Sequence, residues 1–238
     1  MHRINDHEFR YSPSDLVSFL GCNHSTFEDY QALSYGYPIP GIEDDTYESL
    51  IISKGIEHEK ECLENFKNQW LSVVEIPVEE SVDIRVNLTI SAIHSGVDVI
   101  YQAVFLDNPW VGYADFLMLS GTHSELGEFS YEIYDTKLAK TPKTEHIIQL
   151  CSYSELLSNV QGVLPEKMHI ILGNNTHSSF LVSDYYSYYK QCKVQFEKFM
   201  SDIPDYSYPE PCSHCDICQW NTSCNLKWEE DNLSLIHI

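Results

Sequence analysis

The sequence predicts an α/β protein with a mixed or mostly antiparallel central sheet flanked by helices. Three apolar and aromatic runs, 98–105, 110–119 and 129–138, follow one another across short polar loops containing Asn108-Pro109 and Gly121. A segment of helical period precedes them and another follows. The chain is 238 residues long, 43% hydrophobic and 13% aromatic, which is enough for a substantial core.

The elements follow in order. "SPSDLVSFLGC" opens on Ser12 or Ser14 as a candidate N-cap, and its short apolar run ends at Cys22. Residues 36–45, "GYPIPGIEDD", are rich in turn formers and predict a loop. From 46 to 70, Leu50, Ile51, Ile56, Leu63 and Phe66 recur at helical spacing up to a bounding Trp70. Gly55 costs that helix some stability and permits close packing near His58. "LSVVEIP" predicts a short strand. "SVDIRVNLTISAIHSG" is ambiguous by propensity, but its length and the stop at Gly96 predict a helix. After the three strands, Ile147, Leu150, Cys151 and Leu157 form the core-facing stripe of a helix over 144–158. "KMHIILGN" and "SSFLVSDY" predict a strand pair, and "YYSYYKQCKVQFEKFMSD" a closing helix. A proline-rich linker, "IPDYSYPEPC", leads into the last cysteines. No internal repeat or low-complexity tract is present.

Charge narrows the function classes. Thirty-six acidic residues against 14 basic ones give a formal net charge of −22, and only Arg3, Arg10 and Arg85 are arginine. That balance excludes a broad basic nucleic-acid footprint. A role on phosphate must rest on local lysines, bound divalent metal or a partner. No apolar run is long enough to span a membrane, and the start, "MHRINDHEFRYS", lacks the apolar core of a secretory signal. Eight unevenly placed cysteines suit metal ligation in a reducing compartment better than a disulfide scaffold, so a cytoplasmic location is expected.

"YEIYDTKLAK", residues 131–140, carries the chemistry that stands out. The two-residue period puts Ile133, Asp135 and Lys137 on one strand face. Asp115, in "GYADFL", sits in an apolar strand where an unpaired buried carboxylate is costly. If 110–119 pairs with 129–138, Asp115 and Asp135 converge. With the Thr136 carbonyl between them they offer an oxygen-rich Mg²⁺ or Mn²⁺ site. Such a metal would polarise a phosphodiester and acidify its bound water. Lys137 could orient or deprotonate that water and offset charge on the phosphate. The bland alternative is a surface ion pair on one strand face.

His58, in "KGIEHEK", is a candidate third ligand, with a structural histidine as the alternative. Glu57 and Glu59 read most simply as solvated. Gln149 and Tyr153, four apart, share a helix face from which they could hold Lys137 or contact phosphate; from spacing alone the polar edge of an amphipathic helix is the favoured reading. Lys140 and Lys143 can supply local positive charge.

"PCSHCDICQWNTSC" places Cys212, Cys215, Cys218 and Cys224 within 13 residues, a spacing for Zn²⁺ or an iron–sulfur cluster. The local four could complete a site. Alternatively Cys22 supplies one ligand from a distance and Cys212 is a spectator. Cys62, Cys151 and Cys192 read as small core hydrophobes, and His169 and His214 have weaker claims as ligands.

"KGIEHE", "GYADFL", "YEIYDTKLAK" and "QLCSYSELL", in that order, resemble the RecB-family branch of the PD-(D/E)xK nucleases. With the early cysteine of "SPSDLVSFLGC" and the terminal "YPEPCSHCDICQW…C", the chain is similar to RecB-like nucleases of the Cas4 and AddB arrangement from about residue 11 to 228. The resemblance implies a restriction-endonuclease-like core over 1–204, contributing Cys22 to a cluster region over 205–238. It implies a DNA nuclease dependent on Mg²⁺ or Mn²⁺, exonucleolytic in mode, with a [4Fe–4S] cluster. By position, His58, Asp115 and Asp135 match the metal ligands, Lys137 the catalytic lysine, and Gln149 and Tyr153 the motif on the following helix. Cys22, Cys215, Cys218 and Cys224 match the cluster ligands. Asp135 stands where the motif often has glutamate, and Cys212 is an extra cysteine. DNA is the implied substrate and a helicase or other DNA-processing protein the implied partner. The alternative is a non-catalytic binding or assembly module that keeps the fold and the cluster.

Overall fold

The computed structural model describes residues 1–5, 8–40 and 46–231, the side chains of 46–49 apart. The described parts of Met1–Asp45 and Gln191–Ile238 make up one compact unit, and Thr46–Lys190 make up another. The division expected at residue 204 differs from this one, because the N-terminal segment groups with the C-terminal one.

The second unit is an α/β structure with a six-stranded mixed sheet flanked by helices. Its elements are α3 (Thr46–Asn68), β3 (Val73–Glu75), α4 (Val82–Ser95), β4 (Val99–Asp107), β5 (Trp110–Ser120), β6 (Ser130–Lys137), α5 (Thr144–Gln161), β7 (Lys167–Leu172), β8 (His177–Leu181) and the first half of α6 (Val182–Ser201). The strands lie in chain order, β3 to β8. The β3–β4 and β6–β7 pairs are parallel and the others antiparallel. Each parallel pair has a helix in its connection, α4 in one and α5 in the other, as a crossover requires.

The ambiguous segment 81–96 is a helix because both ends are capped. Ser81 Oγ accepts from the Ile84 N–H, and Gly96 takes the left-handed conformation at φ 68°. Thr89 on this helix is buried and accepts the Val104 N–H at 3.0 Å, fixing α4 to β4. On α3 the buried stripe is His58, Cys62, Leu63 and Phe66, and the last three pack on Val99, Phe116 and Ile171. Leu50, Ile51 and Ile56, expected in the same stripe, are 44–48% exposed, so the packed face begins only at His58. Twelve of the 18 residues of α5 are buried, including Leu150, Cys151 and Leu157, so it is a core helix rather than a surface one. Cys62 and Cys192 are buried as well, as small hydrophobes are.

The end of β6 is fixed by a close backbone approach. A Cβ at Gly173 would stand 2.5 Å from the Leu138 carbonyl oxygen, so only glycine lets the end of β7 approach the residue after Lys137 this closely. The segment "SSFLVSDY" divides, with β8 ending at Leu181 and α6 starting at Val182.

The first unit contains elements with weak sequence signals. β1 (His2–Asn5) and β2 (Glu8–Arg10) form a two-stranded antiparallel sheet. α1 (Pro13–Gly21) begins at Ser12, which caps it in a reciprocal box with Asp15. α2 (Asn23–Tyr35) ends at Gly36 with φ 74°. The second half of α6 packs here, with Phe196 against Tyr11 and Phe19. A 3₁₀ turn (Ser213–Ile217) and α7 (Asn221–Glu230) follow. The predicted loop 36–45 carries no regular structure over 37–40, and 41–45 lie outside the described residues.

Candidate metal sites

The β5–β6 register carries Phe116 opposite Tyr134 and Leu117 opposite Ile133. One step further along that register, Asp115 falls opposite Asp135. The Asp115 Oδ2 accepts from both the Thr136 N–H and the Thr136 hydroxyl, each at 2.7 Å. Asp135 is 2% exposed, and Lys137 Nζ stands 2.5 Å from its Oδ2. That contact is charge-assisted, so the Lys137 ammonium holds the buried Oδ2. The expected convergence of Asp115, Asp135 and Lys137 is therefore present. Thr136 serves it by binding Asp115 through its N–H and hydroxyl, in addition to any role of its carbonyl.

The charges are strongly coupled. Burial, then Asp135, then Glu59 push the Asp115 carboxyl well above the usual range, with Lys137 and Thr136 opposing. Burial works against the Lys137 ammonium, but Asp135 and Asp115 outweigh it and its pKa is raised. Beside the two carboxylates Lys137 can orient water and offset negative charge.

His58 is buried, and its Nε2 lies 3.4 Å from the Ile171 carbonyl oxygen. Tyr153 is buried, and burial followed by Asp135 and Asp115 raises its hydroxyl, so it stands near the carboxylates. Gln149, one turn earlier, is half-buried. Lys140 and Lys143 are exposed, and Lys143 pairs with Glu145 at 3.3 Å.

Two residues of this site escaped the sequence reading. Glu59 is half-buried and accepts a hydrogen bond from Gln102, rather than lying in solvent. His146, buried on the first turn of α5, accepts the Lys143 N–H at its Nδ1 at 3.3 Å. Burial, then the Lys137 charge, lower its pKa. A lowered histidine contributes stability above its unfolded pKa of about 6.5, and that stability is lost as pH falls through the folded value. The melting temperature is expected to fall between pH 7.5 and 5.5, and to fall less in His146→Gln; equal losses in a thermal melt would contradict this.

In the first unit, Cys22, Cys215, Cys218 and Cys224 line one pocket together with His24 and His214. Cys22 is extended between α1 and α2 and turns the chain there. Gly21 makes room, since a Cβ there would meet the His214 ring at 2.7 Å. Trp220 Nε1 and Gln219 Nε2 donate to Asp29 Oδ1 at 2.8 and 2.7 Å, and Trp220 and Cys224 pack on Ala32. These bonds hold α2 against the C-terminal cysteines. Burial raises the Cys22, Cys215 and Cys218 thiols and pushes Cys224 up to about 11. Cys212 is exposed and does not line that pocket, but its thiol lies against those of Cys22 and Cys215, with its Sγ 3.8 Å from Cys215 Sγ and 3.6 Å from the Gly21 oxygen. His169 is engaged elsewhere, by Glu132 at 2.9 Å and Ser179 at 2.8 Å.

Among the described residues, no three His, Cys, Asp or Glu side chains are drawn into a group that could hold a metal ion. The donor chemistry nevertheless fits at both places. One has two carboxylates placed side by side, and the other has four thiols around one pocket. No helix among the described residues is long and apolar enough to cross a membrane.

No family model matches the chain, and no curated protein matches it. Among solved structures, the crystal structure of SSO0001 is similar at 13% identity, covering 93% of this chain and 88% of that one, with a TM-score of 0.37. A likeness that low carries no argument about fold family or activity.

Proposed function

We propose that the protein is a divalent-metal-dependent deoxyribonuclease of the RecB-like PD-(D/E)xK kind, with a restriction-endonuclease-like core and a [4Fe–4S] cluster on Cys22, Cys215, Cys218 and Cys224. The observation that carries this reading is the buried Asp135 beside Asp115 and Lys137 on the neighbouring strand positions. Two carboxylates this close repel, and Lys137 offsets that only in part, since Asp115 remains pushed well above the usual range. Asp115 and Asp135 would hold Mg²⁺ or Mn²⁺, and Thr136 would keep Asp115 oriented. When bound, the metal supplies a polarised phosphodiester and an acidified water. Lys137 holds that water in line and offsets the charge growing on the phosphate oxygens. Tyr153 closes the site from α5, and Gln149 lies one turn from it. Lys140 and Lys143, exposed just beyond β6, give an acidic chain its local attraction for a phosphate backbone. DNA is the substrate and a DNA-processing protein such as a helicase the fitting partner.

The test is incubation of the purified protein with single-stranded, duplex and tailed DNA, with Mn²⁺, Mg²⁺ or chelator. Cleavage that requires the metal is the expected result. No turnover on any substrate would sink the reading in favour of a non-catalytic assembly module.

A further inference from the structure

Trp70, just past the end of α3, occupies a position that costs stability. Its N–H donates to the Lys67 carbonyl oxygen in the helix-ending turn, and its φ is 62°, a conformation that glycine usually fills. A side chain there is strained, and the ring gains no burial in return, being 96% exposed. Gln69, the residue before it, lines a groove of about 410 Å³ between the C-terminal half of α3 and the β7–β8 hairpin. The floor of the groove is apolar, made by Cys62, Phe66 and Ile171. Its rim carries the exposed carboxamides of Asn65, Asn68, Gln69 and Asn175, which among the described residues make no hydrogen bond within the chain. No carboxylate of the described residues lines it, in a chain with 36 acidic residues against 14 basic ones. Glu64 and Glu75, near the end of α3, share Lys67 at 3.0 and 2.8 Å. The groove adjoins the candidate carboxylate site, since the Ile171 carbonyl oxygen lies 3.4 Å from His58 Nε2 and Phe66 packs edge-on against Phe116, the residue after Asp115.

We propose that this groove binds an unpaired base of single-stranded DNA, with Trp70 as the stacking platform for a neighbouring base. This rests on the DNA-cleaving reading above and adds to it a place for the strand beside the scissile phosphate. A base has apolar faces and neutral hydrogen-bonding edges, which match an apolar floor rimmed by carboxamides. An anionic strand can lie on so acidic a chain only where no carboxylate faces it. Base stacking gives the exposed Trp70 ring the burial that the free protein withholds, and so accounts for a tryptophan where glycine would be less strained.

The experiment is fluorescence anisotropy of a dye-labelled thymidine oligonucleotide with the full chain in chelator, where no cleavage intervenes, alongside an abasic strand of the same length and thermal melts of each protein. The base-bearing strand is expected to bind more tightly than the abasic one. Trp70→Gly is expected to weaken binding of the base-bearing strand about tenfold, to leave the abasic strand unaffected, and to keep or raise the melting temperature. Trp70→Phe, which retains a stacking face, is expected to restore most of the affinity. Equal binding of the two strands by the wild type, or wild-type affinity in Trp70→Gly, would overturn this proposal alone. A lower melting temperature in Trp70→Gly, with binding not restored by Trp70→Phe, would make the ring structural and also overturn it. A wild type that neither binds nor cleaves DNA would overturn it together with the reading on which it rests. Base-dependent binding by a protein that cleaves nothing would overturn the nuclease reading and leave this one standing.

Discussion

Asp135→Asn is expected to lower metal-dependent DNA cleavage by at least about a thousandfold, the scale set by several kcal/mol of metal-borne charge stabilisation. The same change is expected to leave the metal-free melting temperature unchanged or raise it. Asp115 is pushed well above the usual carboxylate range by burial and by Asp135, so neutralising Asp135 removes a repulsion. Lys137 loses its 2.5 Å partner but keeps Asp115 nearby, so no buried charge is left alone. Lys137→Ala has the opposite stability sign. It strips the cation from Asp115, Asp135 and Glu59, and a loss of about 3 kcal/mol is expected from breaking a largely buried pair at one end. Single-turnover cleavage and denaturant melts on both variants check the pattern. An Asp135→Asn protein that unfolds like Lys137→Ala would show the carboxylate to be structural.

The second large effect is at Cys22. Cys22→Ala is expected to remove the broad absorbance near 400 nm and to drop iron from about four per chain towards zero, while Cys212→Ala keeps both. Cys22 lines the pocket formed with Cys215, Cys218 and Cys224, and Cys212 stands outside it. Because Cys22 joins α1 to α2, losing the cluster also loosens the first unit, at a cost of several kcal/mol where ligand binding and folding are coupled. Iron analysis and melts of the two variants read this directly. Loss in Cys212→Ala with retention in Cys22→Ala would assign the site to the local four cysteines. Zinc in place of iron would replace the cluster with a structural metal.

The parts legible in the sequence are those with strong period and clear punctuation. The strands expected at 98–105, 110–119 and 129–138 are found at Val99–Asp107, Trp110–Ser120 and Ser130–Lys137, and the helix expected from 144 starts at Thr144. The facing of Asp115 and Asp135 followed from those strands alone, because antiparallel register fixes which residues oppose one another. β1 and β2 were not legible, being three or four mostly polar residues each. Nor were α2 and α7: only Cys224 is buried on α7, and α2 has no regular apolar stripe. Glu59 was hidden for a different reason. Its neighbours on α3 are charged, and its burial depends on the φ of Gln102 forty-three residues away, which no local pattern encodes. His146 carried a weak signal, as a histidine at the third position of a helix that follows a lysine strand.

The central claim is that Asp115 and Asp135 share a divalent cation. Crystals of the protein grown with Mn²⁺ test it most directly through the anomalous scattering of the metal. A peak is expected within ligand distance of the Asp135 Oδ2 and an oxygen of Asp115, with Lys137 drawn off its 2.5 Å contact. Carboxylates unchanged, with Lys137 still on Asp135 and no peak between them, would contradict it.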